Sequence, residues 1–109
     1  MVGARSFSPN HYARHMEKKK CVHLIIQGRV QGVGYRAFTK GQAKKLNVDG
    51  WVRNLTNGNV EAVISGTEEN IAEIMVALYR GPLAAKVSDI RISQCDEEIQ
   101  QGFKQLPTA

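Results

Sequence analysis

The stretch of this chain richest in chemical potential is Gly28-Arg29-Val30-Gln31-Gly32-Val33-Gly34-Tyr35-Arg36. Glycine admits backbone conformations that side chains forbid, so successive amide N–H groups can converge there into a concave nest. If a helix starts directly after the loop, its unsatisfied first-turn amides join the nest, and the cup suits a phosphate dianion. Arg36, just inside such a helix, can close the cup with a bidentate guanidinium fork. The plain alternative is a tight glycine turn that holds nothing. A second candidate is Asn54, which ends the run Gly50-Trp51-Val52-Arg53-Asn54. Its amide can hold a water but cannot serve as a base. Taken alone, Asn54 reads as a capping or turn asparagine beside a hairpin.

These residues need elements to hold them. Cys21 to Gln27 is a β-branched, apolar run ended by Gly28 and predicts a strand, with Val22, Leu24 and Ile26 on one face. Tyr35 to Leu46 predicts a helix, with Phe38, Ala43 and Leu46 available for burial and Lys40, Lys44 and Lys45 for solvent. Asn47 suits its C-terminal cap. Gly50 to Asn54 and Val60 to Ser65 predict two antiparallel strands joined through Asn57-Gly58, the signal for a type I′ turn. Thr67 caps a second helix, with Glu68 and Glu69 in its first turn. Ile71, Ile74, Met75, Leu78 and Tyr79 form one apolar stripe along it, and Gly81-Pro82 stops it. Val87 to Cys95 predicts a fourth strand, with Ile90 and Ile92 pointing one way, and a short fifth strand is placed around Phe103.

The order strand, helix, strand, strand, helix, strand predicts an α+β fold. It is the ferredoxin-like α/β sandwich, an antiparallel sheet of four to five strands with both helices on one face. That architecture hosts many unrelated activities, so function must come from the site. Two familiar phosphate motifs fail. Gly32-Val33-Gly34-Tyr35-Arg36-Ala37 formally satisfies the dinucleotide fingerprint, but that motif needs a parallel βαβ unit and a longer chain. A Walker A loop fails because no Lys-Ser/Thr follows the glycines.

Bulk properties narrow the class. At 109 residues the chain is one domain able to bury a core without staples. No apolar run approaches the roughly 20 residues of a membrane span, and residues 1–20 lack a secretory signal. A soluble cytoplasmic protein that binds no membrane is expected. Of the net charge of +5, +4 resides in the first 20 residues, where Arg5, Arg14, Lys18, Lys19 and Lys20 face only Glu17. The other 89 residues carry ten basic and nine acidic side chains, which argues against nucleic acid as a partner. Residues 1–20 read as a disordered basic extension preceding a domain over 21–109. Met16 would make a natural start, which leaves residues 1–15 as either an added leader or native sequence. His11 and His15 are spaced to chelate a metal on a helix, but Pro9 and the lack of an apolar face argue against that helix.

Gly28 to Arg36 resembles the first signature of the acylphosphatase family, and Gly50 to Asn54, continuing to Gly58 and Val60, resembles the second. The resemblance spans residues 21–109. It implies a ferredoxin-like fold and hydrolysis of small-molecule acyl phosphates to carboxylate and inorganic phosphate, with no metal and no cofactor. By that resemblance Arg36 binds phosphate and Asn54 orients the nucleophilic water. Arg29, Val30, Gln31, Gly32, Val33, Gly34 and Tyr35 cradle the phosphoryl oxygens through their amides. Leu55 stands where many members carry threonine, and nothing in the compact family domain corresponds to the segment before Met16.

The chemistry explains why two such residues suffice. The departing carboxylate has a conjugate acid of pKa about 4 and leaves unprotonated. No general acid is needed, and the water's proton can pass to a phosphoryl oxygen. Catalysis is then positioning plus electrostatic stabilisation.

Tyr35 and Trp51 read as packing residues and His23 as a surface residue. Cys21 and Cys95 could meet if the first and fourth strands pair, but strain between paired strands and a reducing cytosol argue against a disulfide. A monomer is expected. An RNA-binding module shares this element order, but His23, Ile25, Gln27, Glu61, Val63 and Ser65 offer no aromatic platform. A non-catalytic regulatory domain, or a carbamoyl-phosphate-binding domain like those of hydrogenase-maturation enzymes, is the alternative to the hydrolase.

Overall fold

A computed structural model describes residues 19–109. The expected extension, the start at Met16 and the His11–His15 pair fall almost entirely outside the described residues. Strand β1 runs Lys20–Arg29 and leads through the glycine loop into helix α1, Tyr35–Lys45. Strands β2, Asp49–Asn54, and β3, Val60–Gly66, follow, then helix α2, Glu68–Arg80. Strand β4, Lys86–Gln94, and strand β5, Phe103–Gln105, complete the chain.

Both helices end as their sequences dictate. Thr67 accepts from the Asn70 amide at 3.1 Å, capping α2 as expected. Asn47 takes φ 62° after α1, and Val48 N–H then reaches back to Ala43 O at 2.8 Å, which closes the last turn.

The sheet order is β4-β1-β3-β2-β5. β1 pairs antiparallel with β3 and β4, and β2 pairs antiparallel with β3. β5 departs from the all-antiparallel expectation and lies parallel to β2. The reason is where β4 ends. Gln94 pairs with Val22, which is level with Ile64 and therefore with Gly50, where β2 begins. Residues 95–102 cross the sheet along that rim, so β5 enters at Phe103 beside Gly50 and runs in the direction of β2.

The core lies between sheet and helices. Leu24, Ile26, Val52, Val60, Ala62, Ile64 and Ile90 meet Tyr35, Ala43, Ile74 and Leu78, all buried. The expected stripe of α2 is narrower than drawn. Tyr79 lies about 100° around the helix from Leu78 and stays 48% exposed. Ile92 shares a face with Ile90 but lies on the outermost strand and is 54% exposed.

Two further expectations change. The β2–β3 connection occupies residues 55–59 rather than a two-residue type I′ turn. Gly58 N–H bonds Leu55 O at 3.1 Å, and only Gly58 takes a positive φ, so Asn57 keeps an ordinary conformation. Cys21 and Cys95 are joined as a disulfide, with Cα atoms 5.4 Å apart. The paired register of β1 and β4 ends at Val22 and Gln94, and the cysteines are the next residues on each strand, joined also by a backbone bond from Cys95 N–H to Cys21 O at 3.3 Å.

Candidate active site

The site forms at the end of the sheet where β1 hands over to α1. Gly32 and Gly34 take φ 73° and 80°, the left-handed region that L side chains rarely enter, and their would-be Cβ positions meet nothing. Glycine is needed there for backbone conformation rather than for space. The turn delivers the chain into α1 with Gly34 as N-cap and no side chain capping the helix. The first helical bond is Phe38 N–H to Gly34 O at 3.0 Å, so the amides of Tyr35, Arg36 and Ala37 have no partner inside α1. The first turn carries no acidic residue. Three free amides and the positive end of the macrodipole therefore face the loop, an arrangement that favours an anion.

An open cup of about 160 Å³ occupies that position, lined by Val30, Gln31, Gly32, Gly34, Tyr35, Arg36, Ala37, Asn54 and Gln105. The two sequence candidates thus share one cup. Arg36 forms no ion pair with a carboxylate among the described residues. Its guanidinium keeps its donors for a ligand. Asn54 enters from the end of β2, and its Oδ1 is buried with no hydrogen-bond donor among the described residues. A buried amide oxygen without a donor costs stability.

The other loop residues divide by what their side chains do. Val30 is buried in the core. Tyr35 is buried too, and its hydroxyl donates to Leu78 O at 2.7 Å. Burial pushes the Tyr35 phenol well above its ordinary range, which removes it as an acid or base. Both residues therefore offer the cup only their backbone. Gln31 turns its amide away and donates to Leu55 O at 2.8 Å and Asn59 O at 2.7 Å. The phosphate loop is thereby fastened to the connection that follows Asn54. Arg29 and Val33 do not line the cup. Arg29 is the last residue of β1, paired with Lys86, and Val33 packs against the core.

Two lining residues escaped sequence reasoning. Ala37 follows from the first turn of α1, since the third free amide belongs to it. Gln105 had no signal, because only the parallel placement of β5 brings it beside the end of β2. On the opposite face of the sheet, Glu61 accepts from Arg53 Nε at 2.7 Å and lies 2.7 Å from His23 Nε2. Arg53 also stacks on Trp51, with 4.9 Å from Cζ to the ring centroid. His23 and Trp51 therefore belong to a network on the open face, away from the cup.

Comparison with known proteins places the sequence and the fold. The acylphosphatase family model matches residues 22–105. An acylphosphatase of Methanothrix thermoacetophila is 43% identical over 84 residues, covering 77% of this chain and 93% of that protein. The solved acylphosphatase of Coxiella burnetii superimposes with a TM-score of 0.79 at 31% identity, covering 85% of this chain and 97% of that one. HypF of T. kodakarensis superimposes with a TM-score of 0.72 at 31% identity, covering 80% of this chain and 12% of that one. The chain belongs to the acylphosphatase family.

Proposed function

We propose that this chain hydrolyses acyl phosphates by in-line attack of a water, with Arg36 and the loop amides on the phosphoryl group and Asn54 on the water. The observation that carries the reading is that Asn54, whose Oδ1 has no donor among the described residues, lines the same cup as Arg36 and the free amides of α1. The phosphoryl oxygens accept from the amides of Gly32 and of Gly34 through Ala37 and from the Arg36 fork. The Asn54 side-chain amide hydrogen-bonds the water and turns one of the water's lone pairs toward phosphorus. The P–O bond to the acyl oxygen breaks as the water oxygen bonds phosphorus. The carboxylate departs with the bond's electrons, and the water's proton goes to a phosphoryl oxygen.

Among the described residues, those lining the cup include no carboxylate, histidine or lysine. It is therefore suited to a leaving group that needs no acid, which an acyl phosphate has and an alkyl phosphate ester lacks. Benzoyl phosphate hydrolysis, followed in the presence of a chelator, tests the proposal. Turnover under those conditions with inorganic phosphate as competitive inhibitor supports it. Absence of turnover leaves the phosphate-binding domain in its place.

A monomer belongs to the same proposal, and sedimentation at the mass of a 12.1 kDa chain checks it. No helix among the described residues is long and apolar enough to cross a membrane. The expected cytoplasmic location stands against the Cys21–Cys95 disulfide, since disulfides persist in oxidising compartments. Fractionation of the host cell, with thiol trapping, decides that point.

A further inference from the structure

Asn54 sits on the last residue of β2, where strand pairing is about to end. On one side it is held by β3, through its register with Val60 and the bond from Leu55 N–H to Asn59 O at 2.9 Å. On its other side β5 gives no support, because that strand stops at Gln105, level with Val52. The chain continues, and Leu106 N–H still donates to Val52 O at 2.9 Å. Pro107 has no N–H to give, and the next backbone bonds come from Ala109. Ala109 N–H donates to Asn54 O at 3.0 Å, and Ala109 O accepts from Thr56 N–H at 2.9 Å. Three steps along this segment cover two along β2, so the register slips and Ala109 lands opposite Leu55, bonded to Asn54 on one side of it and to Thr56 on the other.

We propose that Ala109 is a positioning residue for the hydrolytic reaction, its backbone N–H and oxygen clamping the chain from Asn54 to Thr56, where β2 ends, so that Asn54 holds the attacking water in line. The proposal rests on the acyl phosphate reading for its consequence, but the clamp itself is independent of that reading. An in-line attack tolerates little displacement of the nucleophile, and misplacement by about 1 Å can cost on the order of a hundredfold in rate. The phosphate half of the cup stands on β1 and α1, and besides the Gln31 bonds to the 55–59 connection it has its own anchor on α2 through Tyr35. Loosening Asn54 should therefore lower kcat and leave phosphate affinity alone.

Three proteins test this: Ala109→Gly, which keeps both backbone groups, Ala109→Pro, which lacks the donor, and a chain shortened to end at Pro107. Benzoyl phosphate kinetics, inhibition by inorganic phosphate and amide hydrogen exchange at Thr56 are measured on each. Ala109→Gly should match the wild type. Ala109→Pro and the shortened chain should lose about tenfold or more in kcat. Their KM and phosphate inhibition constant should stay within about twofold. The shortened chain should also exchange the Thr56 amide faster. In an Asn54→Ala background the shortening should cause no further loss of kcat. Unchanged kcat in the shortened chain overturns the proposal, as does a parallel loss of phosphate affinity. Unchanged Thr56 exchange overturns the clamp itself, whether or not the wild type turns over benzoyl phosphate. A wild type that hydrolyses nothing, with Thr56 exchange accelerated by shortening, instead counts against the function.

Discussion

The Tyr35 hydroxyl donates to the main-chain oxygen of Leu78 at 2.7 Å, so the residue just before Arg36 is fastened to the far helix. Leu78 lies in the last turn of α2, where carbonyls have no partner within the helix. The bond thus satisfies an orphan carbonyl and fixes the first turn of α1 in one step.

Tyr35→Phe should leave that buried carbonyl unpartnered and cost about 1–3 kcal/mol of stability. Urea unfolding measures it. Phosphate inhibition should weaken as the first turn of α1 loosens. A variant as stable as the wild type would show that water reaches Leu78 O.

Arg36 and Asn54 should separate by kinetics. Arg36→Ala should abolish phosphate inhibition and turnover together. Arg36→Lys should recover only part, because an ammonium cannot reproduce the fork. Asn54→Ala should lower kcat about 10²–10³-fold, as for loss of one positioned group, with the phosphate inhibition constant retained. That variant should also be no less stable than the wild type, since it deletes a buried acceptor that has no donor. Phosphate affinity unchanged in Arg36→Ala would remove Arg36 from the site.

The Cys21–Cys95 disulfide closes a loop with a sequence separation of 74. Constraining the unfolded chain over that length is worth ~4 kcal/mol in the chain-entropy model. Reduction, or Cys95→Ser, should lower unfolding free energy by about that amount. The pair joins the start of β1 to the end of β4, at the opposite end of β1 from the cup, so kcat should persist while the protein stays folded.

Glu61 supplies a pH dependence. Burial alone would raise its carboxyl, but hydrogen bonds from His23 and Arg53 outweigh burial and hold it below its ordinary value. A carboxylate lowered in the folded state contributes stability above its unfolded pKa. That stability is lost as pH falls through the lowered folded value. Unfolding free energy should therefore decline as pH drops through and below the usual carboxylate range. Glu61→Gln should flatten that decline. An unchanged profile would show that Glu61 is not the group responsible.

The sequence by itself determined the local parts of this protein. The apolar alternation of Val22, Leu24 and Ile26 and the Thr67 cap fixed elements whose causes lie within a few residues. So did Gly32 and Gly34, since positive φ is a property of the single residue. Arg36 was legible for the same reason, being one step inside the helix that the glycines launch. Asn54 was legible only through its family motif, because its role depends on a cup built mostly from another strand and helix. Tertiary structure alone decided the rest. The direction of β5 follows from which rim of the sheet β4 reaches, a long-range consequence that no local pattern encodes. Gln105 beside the cup, Gln31 bonded to the 55–59 connection and Ala109 clasping Asn54 all depend on chain segments brought together from far apart. The type I′ expectation failed because the bonds of residues 55–59 to one another, and to Gln31 and Ala109, outweigh the local Asn57-Gly58 preference. The disulfide could not be read either, since it depends on the β1–β4 register placing Cys21 and Cys95 side by side, 74 residues apart in sequence.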